Sequence, residues 1–239
     1  MKIVAIVQAR TGSTRLPGKV LMDVAGQSML AQVLTRLGGC NLIQELLVAT
    51  TDRPEDDSIV AECKRISVPV SRGDRDDVLD RYFRAAQLVR ADVVVRITSD
   101  CPLIDPEITG KTIEAYLESA ADYASNGLVR TYPRGLDTET MSFQTLERAW
   151  RLARKPYERE HVTPYIYEHS EEFKLVSVTG ETDYSSHRWT VDTPEDMEFV
   201  REIYHRLSGR FSWRDVLDLV QQEPQLLDLN RSIVQKALH

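Results

Sequence analysis

The chain has 239 residues, 42% of them hydrophobic, which is enough for one substantial buried core. Its formal net charge of −7 argues against a nucleic-acid partner, because proteins that bind polynucleotides usually carry a basic excess. No stretch is long and apolar enough to span a membrane, and the N-terminus lacks the organisation of a signal peptide. The three scattered cysteines show no metal-ligand spacing, so we expect a cytoplasmic protein with reduced thiols.

Short apolar runs alternate with helical patterns in the first half of the chain. Strands are predicted at 2–8, 44–50, 68–70 and 92–98, and helices at 28–38, 54–65, after Asp76-Asp77, and after the N-cap Asp105. Such alternation through about residue 120 predicts an α/β fold with a parallel sheet covered on both faces. Ligands bind beyond the carboxyl ends of the strands in such sheets, so the loops after residues 8 and 98 should lie at the same edge.

The second half is less regular. Strands are predicted within 136–143 and at 173–178 and 188–191, and helices at 143–153 and 157–168. Thr193-Pro194-Glu195-Asp196 is a strong helix start, with a threonine N-cap and proline at the first position. We treat residues 1–239 as a single domain whose C-terminal tail, from about residue 212, is helical.

The loop from Ala9 to Lys19, with sequence ARTGSTRLPGK, directly follows the first predicted strand. It places three cations among small residues: Arg10, Arg15 and Lys19 among Gly12, Ser13, Thr14 and Gly18. Small residues let backbone N–H groups approach an anion while the cations neutralise it, which suits a triphosphate. The loop matches neither a Walker A motif nor a dinucleotide-binding fingerprint. A solvated surface loop is the alternative, but the concentration of cations in an acidic protein favours phosphate binding.

Two aspartates each lie between a predicted strand and a helix start. Asp100 follows the strongest predicted strand, where a role in a turn or helix cap explains it equally well. Asp192 precedes Thr193, which already serves as the cap and leaves the carboxylate free. Magnesium takes one or two carboxylates together with substrate phosphates, so Asp100 and Asp192 form a candidate Mg²⁺ pair.

The order of these motifs resembles that of the CMP-sugar synthetases, which include the 3-deoxy-manno-octulosonate and acylneuraminate cytidylyltransferases. The segments ARTGSTRLPGKVL, SDCPLIDPEI and VDTPEDMEFVR carry this resemblance. The chain is most similar to the spore coat polysaccharide biosynthesis protein F family, through RGDRDDVLDRY, YPRGLDTET, KPYEREHVTPYIY and SSHRWTVDTPED. The likeness extends from Lys2 to about Ile203.

This resemblance implies a nucleotidyltransferase fold of the glycosyltransferase A type, a Rossmann-like, mixed but mostly parallel sheet flanked by helices. It implies that Arg10, Arg15 and Lys19 hold the triphosphate of CTP and that Asp100 and Asp192 hold Mg²⁺. It also places Ser13 and the segment from Arg72 to Asp77 near the nucleotide, and Arg134 near the sugar. A homodimer is expected from the family.

The implied reaction is transfer of CMP from CTP to an acidic 2-keto sugar, with release of pyrophosphate, in surface polysaccharide biosynthesis. Such chemistry needs positioning and neutralisation of charge on phosphate oxygens, for which Arg10, Arg15, Lys19 and Asp100 are the catalytic candidates. A glycosyltransferase that uses a nucleotide-sugar donor is one alternative, and fold cannot decide between the two. A non-catalytic homologue that binds nucleotide is the other.

Overall fold

The computed structural model describes residues 1–235. The strands are β1 (Ile3–Gln8), β2 (Asp23–Val24), β3 (Gln27–Ser28), β4 (Glu45–Thr51), β5 (Val70–Gly73), β6 (Val93–Thr98), β7 (Tyr123–Ser125), β8 (Glu139–Ser142) and β9 (Leu175–Ser177). The α-helices are α1 (Met29–Leu37), α2 (Asp57–Arg65), α3 (Val78–Val89), α4 (Pro106–Ser119), α5 (Phe143–Leu152), α6 (Pro156–His161), α7 (Pro164–Glu168), α8 (Pro194–Arg206) and α9 (Trp213–Gln222). Short 3-10 helices cover Lys19–Leu21, Pro54–Asp56 and Pro224–Leu229.

One mixed sheet organises the fold, with strand order β5-β4-β1-β6-β8-β7-β9. The strands β5, β4, β1 and β6 are parallel, whereas β8 is antiparallel to both β6 and β7. Gln8 at the end of β1 pairs with Thr98 at the end of β6. The loops after these two strands therefore leave the sheet at the same edge, as predicted.

Hydrophobic cores cover both faces of the sheet. The larger one packs α1, α4, α8 and α9 against residues such as Ile3, Ala5 and Val95, and the smaller one packs α3 and α5 against Val4 and Ile6. This alternation along β1 reflects the two-residue period of a strand that is buried on both sides. Each large aliphatic side chain that is fully buried contributes about 1.5–3 kcal/mol.

Local capping defines the helices near the sheet edge. The Asp105 carboxylate accepts hydrogen bonds from the N–H groups of Glu107 and Ile108, and Pro106 occupies the first turn of α4. Thr193 caps α8 in a reciprocal arrangement with Asp196. Both predicted helix starts are confirmed, since the cap satisfies N–H groups that have no partner within the helix.

The segment from Trp213 to Leu229 contains α9 and a 3-10 helix, and it packs on the rest of the described fold. Trp213, Val216 and Val220 of α9 are buried in the larger core. The Trp213 N–H donates to Asp105 Oδ2 at 2.8 Å, which joins the start of α9 to the start of α4.

Two predictions from the second half require correction, and one strand was missed. The helix predicted at 157–168 is two helices, because Val162 adopts φ of +75° and Pro164 has no N–H to continue the first. Residues 188–191 do not form a regular strand: Arg188 makes an isolated bridge with Arg134, and the Val191 N–H donates instead to Asp100 O. The short strand β7 was not predicted.

Candidate active site

A cleft of about 790 Å³ opens where the loops after β1 and β6 leave the sheet. Seven arginine or lysine side chains line it, together with five carboxylates. This excess of cations is local, because the whole chain carries a formal net charge of −7. Nine of the site residues predicted from sequence line this cleft: Ala9, Arg10, Gly12, Ser13, Arg15, Lys19, Asp100, Arg134 and Asp192.

A buried aspartate anchors the loop that carries Arg10, Arg15 and Lys19. Asp56 Oδ1 accepts the Thr11 N–H at 2.8 Å and the Thr11 hydroxyl at 2.7 Å, while Oδ2 accepts the Thr51 hydroxyl. Burial opposes ionisation of Asp56, but the hydrogen bonds from Thr51 and Thr11 hold its pKa below the ordinary value. The loop then turns at Gly18, whose φ of +70° lies in the left-handed region, and leads into the 3-10 helix at Lys19.

Lys19 joins the two candidate metal ligands. Its Nζ lies 3.3 Å from Asp100 Oδ2 and 2.9 Å from Asp192 Oδ1, and it donates to Val191 O at 2.6 Å. The Lys19 side chain is only 10% exposed. The structure thus brings together three residues that are up to 173 positions apart in the chain.

Burial and charge pairing act against each other in this group. Burial alone would lower the pKa of Lys19, but the negative charges of Asp100 and Asp192 raise it above the usual lysine value. Burial would raise the pKa of Asp192, but Lys19, Arg188 and Arg15 lower it. The lysine is therefore held as a cation and Asp192 as an anion at neutral pH.

Two further cations of the loop face the same edge. Arg15 Nη2 lies 3.0 Å from Asp192 Oδ2, and Arg10 Nη2 lies 3.6 Å from Glu160 Oε1 on α6. The Ser13 hydroxyl accepts the Leu16 N–H at 3.3 Å, which closes the turn between these cations. An ideal Cβ built on Gly12 meets nothing within 4 Å, so space alone does not require glycine there.

The structure does not place Arg72 and Asp77 among the residues that line the cleft. The Arg72 guanidinium donates to Thr51 O, Arg53 O and Asp57 at the outer edge of β5. Asp77 caps α3 and pairs with Arg159. Both side chains are therefore engaged in supporting contacts within residues 1–235.

A second part of the cleft wall, formed by residues 130–137, was only partly predicted. Arg134 lines it, as does Arg130, which forms an ion pair with Asp137. Burial and the neighbouring charge of Arg130 lower the pKa of Arg134. Arg130 Nη1 is buried and finds no hydrogen-bond partner within the described part of the chain. The spacing of Arg130, Arg134 and Asp137 around Pro133 was the signal that sequence could have offered.

Also lining the cleft, Arg96 of β6 forms a partly buried ion pair with Glu139 of β8. Glu139 Oε1 also accepts hydrogen bonds from the hydroxyls of Tyr123 and Thr163, at 2.5 and 2.6 Å. A charged side chain in an otherwise apolar strand needs a partner of opposite charge, so the sequence VVVRIT could have predicted an acidic partner for Arg96. None of these residues was predicted.

Gly135 fixes where Arg134 lies. An ideal Cβ on Gly135 would lie 2.6 Å from the backbone carbon of Trp189, and its φ is +111°. The Arg134 N–H donates to His187 O at 3.0 Å, and the Trp189 N–H donates back to Arg134 O at 2.7 Å. This close approach of two backbones holds Arg134 beside the segment that leads to Asp192, and both residues line the cleft.

Comparison with known proteins identifies the family. Residues 4–224 match the model of a cytidylyltransferase family. The chain belongs to this cytidylyltransferase family. Its members transfer a nucleotidyl group, so the chain is a nucleotidyltransferase enzyme.

Particular relatives of the cytidylyltransferase family agree with this assignment. A spore coat polysaccharide biosynthesis protein of Bacillus subtilis is 31% identical over 93% of this chain and 95% of its own length. A cytidylyltransferase structure from Leptospira borgpetersenii superposes with a TM-score of 0.93 and 34% identity, covering 98% of this chain and all of that one. A 3-deoxy-manno-octulosonate cytidylyltransferase of Trichlorobacter lovleyi is 38% identical over 49% of this chain and 46% of its own length. The predicted nucleotidyltransferase fold is thereby confirmed.

No helix within residues 1–235 is long and apolar enough to cross a membrane. Over the same residues, no three histidine, cysteine or acidic side chains are clustered so as to hold a metal ion by themselves.

Proposed function

We propose that this cytidylyltransferase transfers CMP from CTP to an acidic 2-keto sugar and releases pyrophosphate. The observation that carries the proposal is the group formed by Lys19, Asp100 and Asp192 beside the loop cations Arg10 and Arg15. This group combines donors for phosphate oxygens with carboxylates suited to a divalent cation. The family match supports cytidine as the nucleotide.

The phosphate end of the cleft, defined here as Arg10, Arg15, Lys19, Asp100 and Asp192, would bind the triphosphate. Arginine and lysine form charge-assisted hydrogen bonds to phosphate oxygens and neutralise charge that develops during transfer. The buried Asp56 holds the backbone of the loop that carries them, through the N–H and hydroxyl groups of Thr11. Preorganised cations of this kind stabilise the transition state without moving during the reaction.

Mg²⁺ fits the same end. Asp100 and Asp192 contact one ammonium nitrogen from different loops, so their carboxylates converge on a shared region. Two carboxylates leave most of the coordination shell to water and phosphate oxygens, which is the usual arrangement for Mg²⁺. When bound, the ion would neutralise phosphate charge and help to orient the triphosphate.

The acceptor end, defined here as Arg130, Arg134 and Asp137, would bind the sugar acid. Arg134 forms no side-chain hydrogen bond or ion pair with any residue that the structure describes, and Arg130 retains one buried nitrogen without a partner. Guanidinium groups bind carboxylates through two parallel hydrogen bonds. A carboxylate of the acceptor would therefore satisfy donors that the protein leaves available. The similarity to an octulosonate cytidylyltransferase also supports an acidic acceptor.

In the proposed reaction, the anomeric hydroxyl oxygen of the sugar attacks the α-phosphorus of CTP. A new oxygen–phosphorus bond forms, and the bond to the bridging oxygen of the β-phosphate breaks. The hydroxyl proton leaves to solvent or to a nearby carboxylate, and pyrophosphate carries away the electron pair. The residues Arg10, Arg15 and Lys19 would hold the phosphate oxygens in line for this displacement.

The test is pyrophosphate release in Mg²⁺ with each of four nucleoside triphosphates and a panel of 2-keto sugar acids. We expect release only with CTP and one acid, and loss of release in Asp100→Ala. Absence of binding by any triphosphate would refute the proposal.

Other outcomes would identify the alternatives. Transfer of sugar from a nucleotide-sugar donor would indicate a glycosyltransferase, and binding of CTP without turnover across a broad panel would indicate a non-catalytic homologue. Gel filtration with light scattering would test the predicted homodimer, and cell fractionation would test the predicted cytoplasmic location.

A further inference from the structure

The buried carboxylate of Asp196 supports Asp192 on the side that faces away from Lys19. Arg188 Nη2 lies 3.0 Å from Asp192 Oδ2 and 2.9 Å from Asp196 Oδ2, while Arg188 Nε donates to Asp196 Oδ1 at 2.8 Å. Asp196 is fully buried and also accepts the N–H groups of Asp192 and Thr193, at 2.9 and 3.1 Å. One carboxylate thus fixes both the backbone of Asp192 and the arginine that pairs with it.

Asn230 completes this arrangement from the C-terminal segment. Its side chain is buried, with 3% of the residue exposed. Its Nδ2 donates to Arg188 O at 2.9 Å and to Asp196 Oδ1 at 3.1 Å. Asn230 lies beyond residues 4–224, which match the family model, so the family match does not account for its role.

The shared nitrogen of Arg188 makes the position of Asp192 sensitive to these contacts. Arg188 Nη2 divides its hydrogen bonds between Asp192 and Asp196, so a small rotation toward one carboxylate weakens the contact with the other. The Asn230 amide supplies one hydrogen bond to Asp196 and holds the Arg188 backbone at the same time. If the Asn230 amide is removed, Arg188 Nε is the only side-chain donor left to Asp196 Oδ1. A buried carboxylate that loses a hydrogen bond is destabilised, which favours a shift of Arg188 toward Asp196.

We propose that Asn230 is a positioning residue that keeps the Asp192 carboxylate beside Lys19, where the CTP triphosphate and its Mg²⁺ bind. Asn230 acts through Asp196 and Arg188 and does not touch the nucleotide. The inference rests on the proposed function of the phosphate end. Residues that orient a metal ligand from behind typically change metal affinity or activity by about 10- to 100-fold when they are removed.

Calorimetric titration of CTP in the presence of Mg²⁺ tests this role without any need for the acceptor. We expect Asn230→Ala to weaken CTP binding by about 10-fold. In an Asp192→Asn background the same change should weaken CTP binding by no more than about twofold, because residues in one hydrogen-bond network are energetically coupled and Asn230 would act through the Asp192 carboxylate. A purely structural role would reduce affinity by the same factor in both backgrounds.

Gln32→Ala is the matched control. Gln32 is another buried amide that donates to a backbone carbonyl, Val24 O at 2.7 Å, and it does not line the cleft. We expect this variant to bind CTP as wild type does, even if its thermal unfolding temperature falls. Should Asn230→Ala fail to fold, Asn230→Ser retains one donor and should show an intermediate loss of affinity.

The outcomes separate this inference from the proposed function. Wild-type protein that binds no CTP overturns both. Wild-type protein that binds CTP, with Asn230 variants of unchanged affinity or of equal loss in both backgrounds, overturns only the positioning role.

Discussion

The two ends of the cleft handle charge in opposite ways. At the phosphate end, Lys19 and Arg15 are already paired with aspartates, so their charge is balanced before any ligand arrives. At the acceptor end, Arg134 has no side-chain hydrogen bond or ion pair with residues 1–235, and Arg130 has one buried nitrogen without a partner. Each end therefore carries one net positive charge, but the cations of the phosphate end are all paired with carboxylates, whereas Arg134 has no such partner among residues 1–235.

This difference predicts different modes of anion binding. A triphosphate must compete with Asp100 and Asp192 for Lys19, so its affinity depends on how those carboxylates are neutralised. A carboxylate at the acceptor end gains contacts to Arg130 and Arg134 while breaking few existing ones. We therefore expect nucleotide binding to respond strongly to divalent cations and acceptor binding to respond weakly.

Lys19→Met should have the largest effect. Removing this cation takes away the ion-pair partner of Asp100, leaves Asp192 with Arg15 and Arg188 alone, and removes a donor to phosphate. We expect pyrophosphate release to fall by about 100- to 1,000-fold, the scale of losing one preorganised donor.

Lys2→Met is the control for Lys19→Met, because Lys2 pairs with Glu45 at the other end of β1 and does not line the cleft. Its pyrophosphate release should match that of wild type. Equal activity in the two variants would contradict the role assigned to Lys19.

Arg134→Gln tests the acceptor end. A hydrogen bond to a charged group is worth about 1.5–3 kcal/mol, so the KM for the acceptor should rise by about 10- to 100-fold. The KM for CTP should stay within about twofold of wild type, because Arg134 belongs to the opposite end. Arg201→Gln, which removes an exposed contact to Asp23 O, is the control. An unchanged acceptor KM in Arg134→Gln would contradict the role of Arg134 in binding the acceptor.

Gly135→Ala and Gly12→Ala compare how strongly the two parts of the cleft depend on glycine for the stability of the fold. Gly135 combines φ of +111° with a Cβ position 2.6 Å from Trp189, whereas Gly12 has open space around it. We expect Gly135→Ala to lower the free energy of unfolding by about 1–3 kcal/mol. Gly12→Ala should change it by less than about 0.5 kcal/mol, as surface substitutions do. Urea titration of both variants measures the difference, and equal stabilities would contradict it.

Acid should reduce the stability that the charge of Asp192 contributes to the fold, and we expect this effect to be the smallest of those predicted. The folded-state pKa of Asp192 is lowered, so the stability that its charge provides is present above the unfolded carboxyl pKa of about 3.9 and is lost as pH falls through the folded value. The pKa of Lys19 is raised, so the stability that its charge provides is present below the ordinary lysine value of 10.5. That stability is lost in alkali, as pH rises through the folded-state value. The stability difference between wild type and Asp192→Asn should shrink in acid, and a constant difference down to pH 2 would contradict this.

Sequence was sufficient where the chemistry is local. The caps at Asp105 and Thr193 depend on a side chain and its next few residues, so both helix starts were confirmed. The convergence of Asp100 on the loop of Lys19 followed from the topology of parallel strands. The break at Val162 was also visible in principle, since Pro164 follows it by two residues.

Sequence was insufficient where partners come from distant segments. The ion pair between Arg96 and Glu139 depends on β8 pairing antiparallel to β6, which local patterns do not determine. The contact of Asn230 with Asp196 joins residues 34 positions apart through tail packing. Residues 188–191, which contain Trp189 and Val191, were predicted to form a strand, yet the backbone N–H groups of these two residues bond to two separate segments, at Arg134 O and Asp100 O.

The separation of Lys19 from Asp192 has a consequence for synthesis of the protein. These two residues lie 173 positions apart, and Asp192 in turn depends on contacts that reach Asn230. A growing chain that has folded only its first strands carries the Lys19 loop and Asp100 but lacks the second carboxylate. The nucleotide site can therefore be completed only after synthesis has passed Asn230, and CTP binding would stabilise only chains that have folded through that residue.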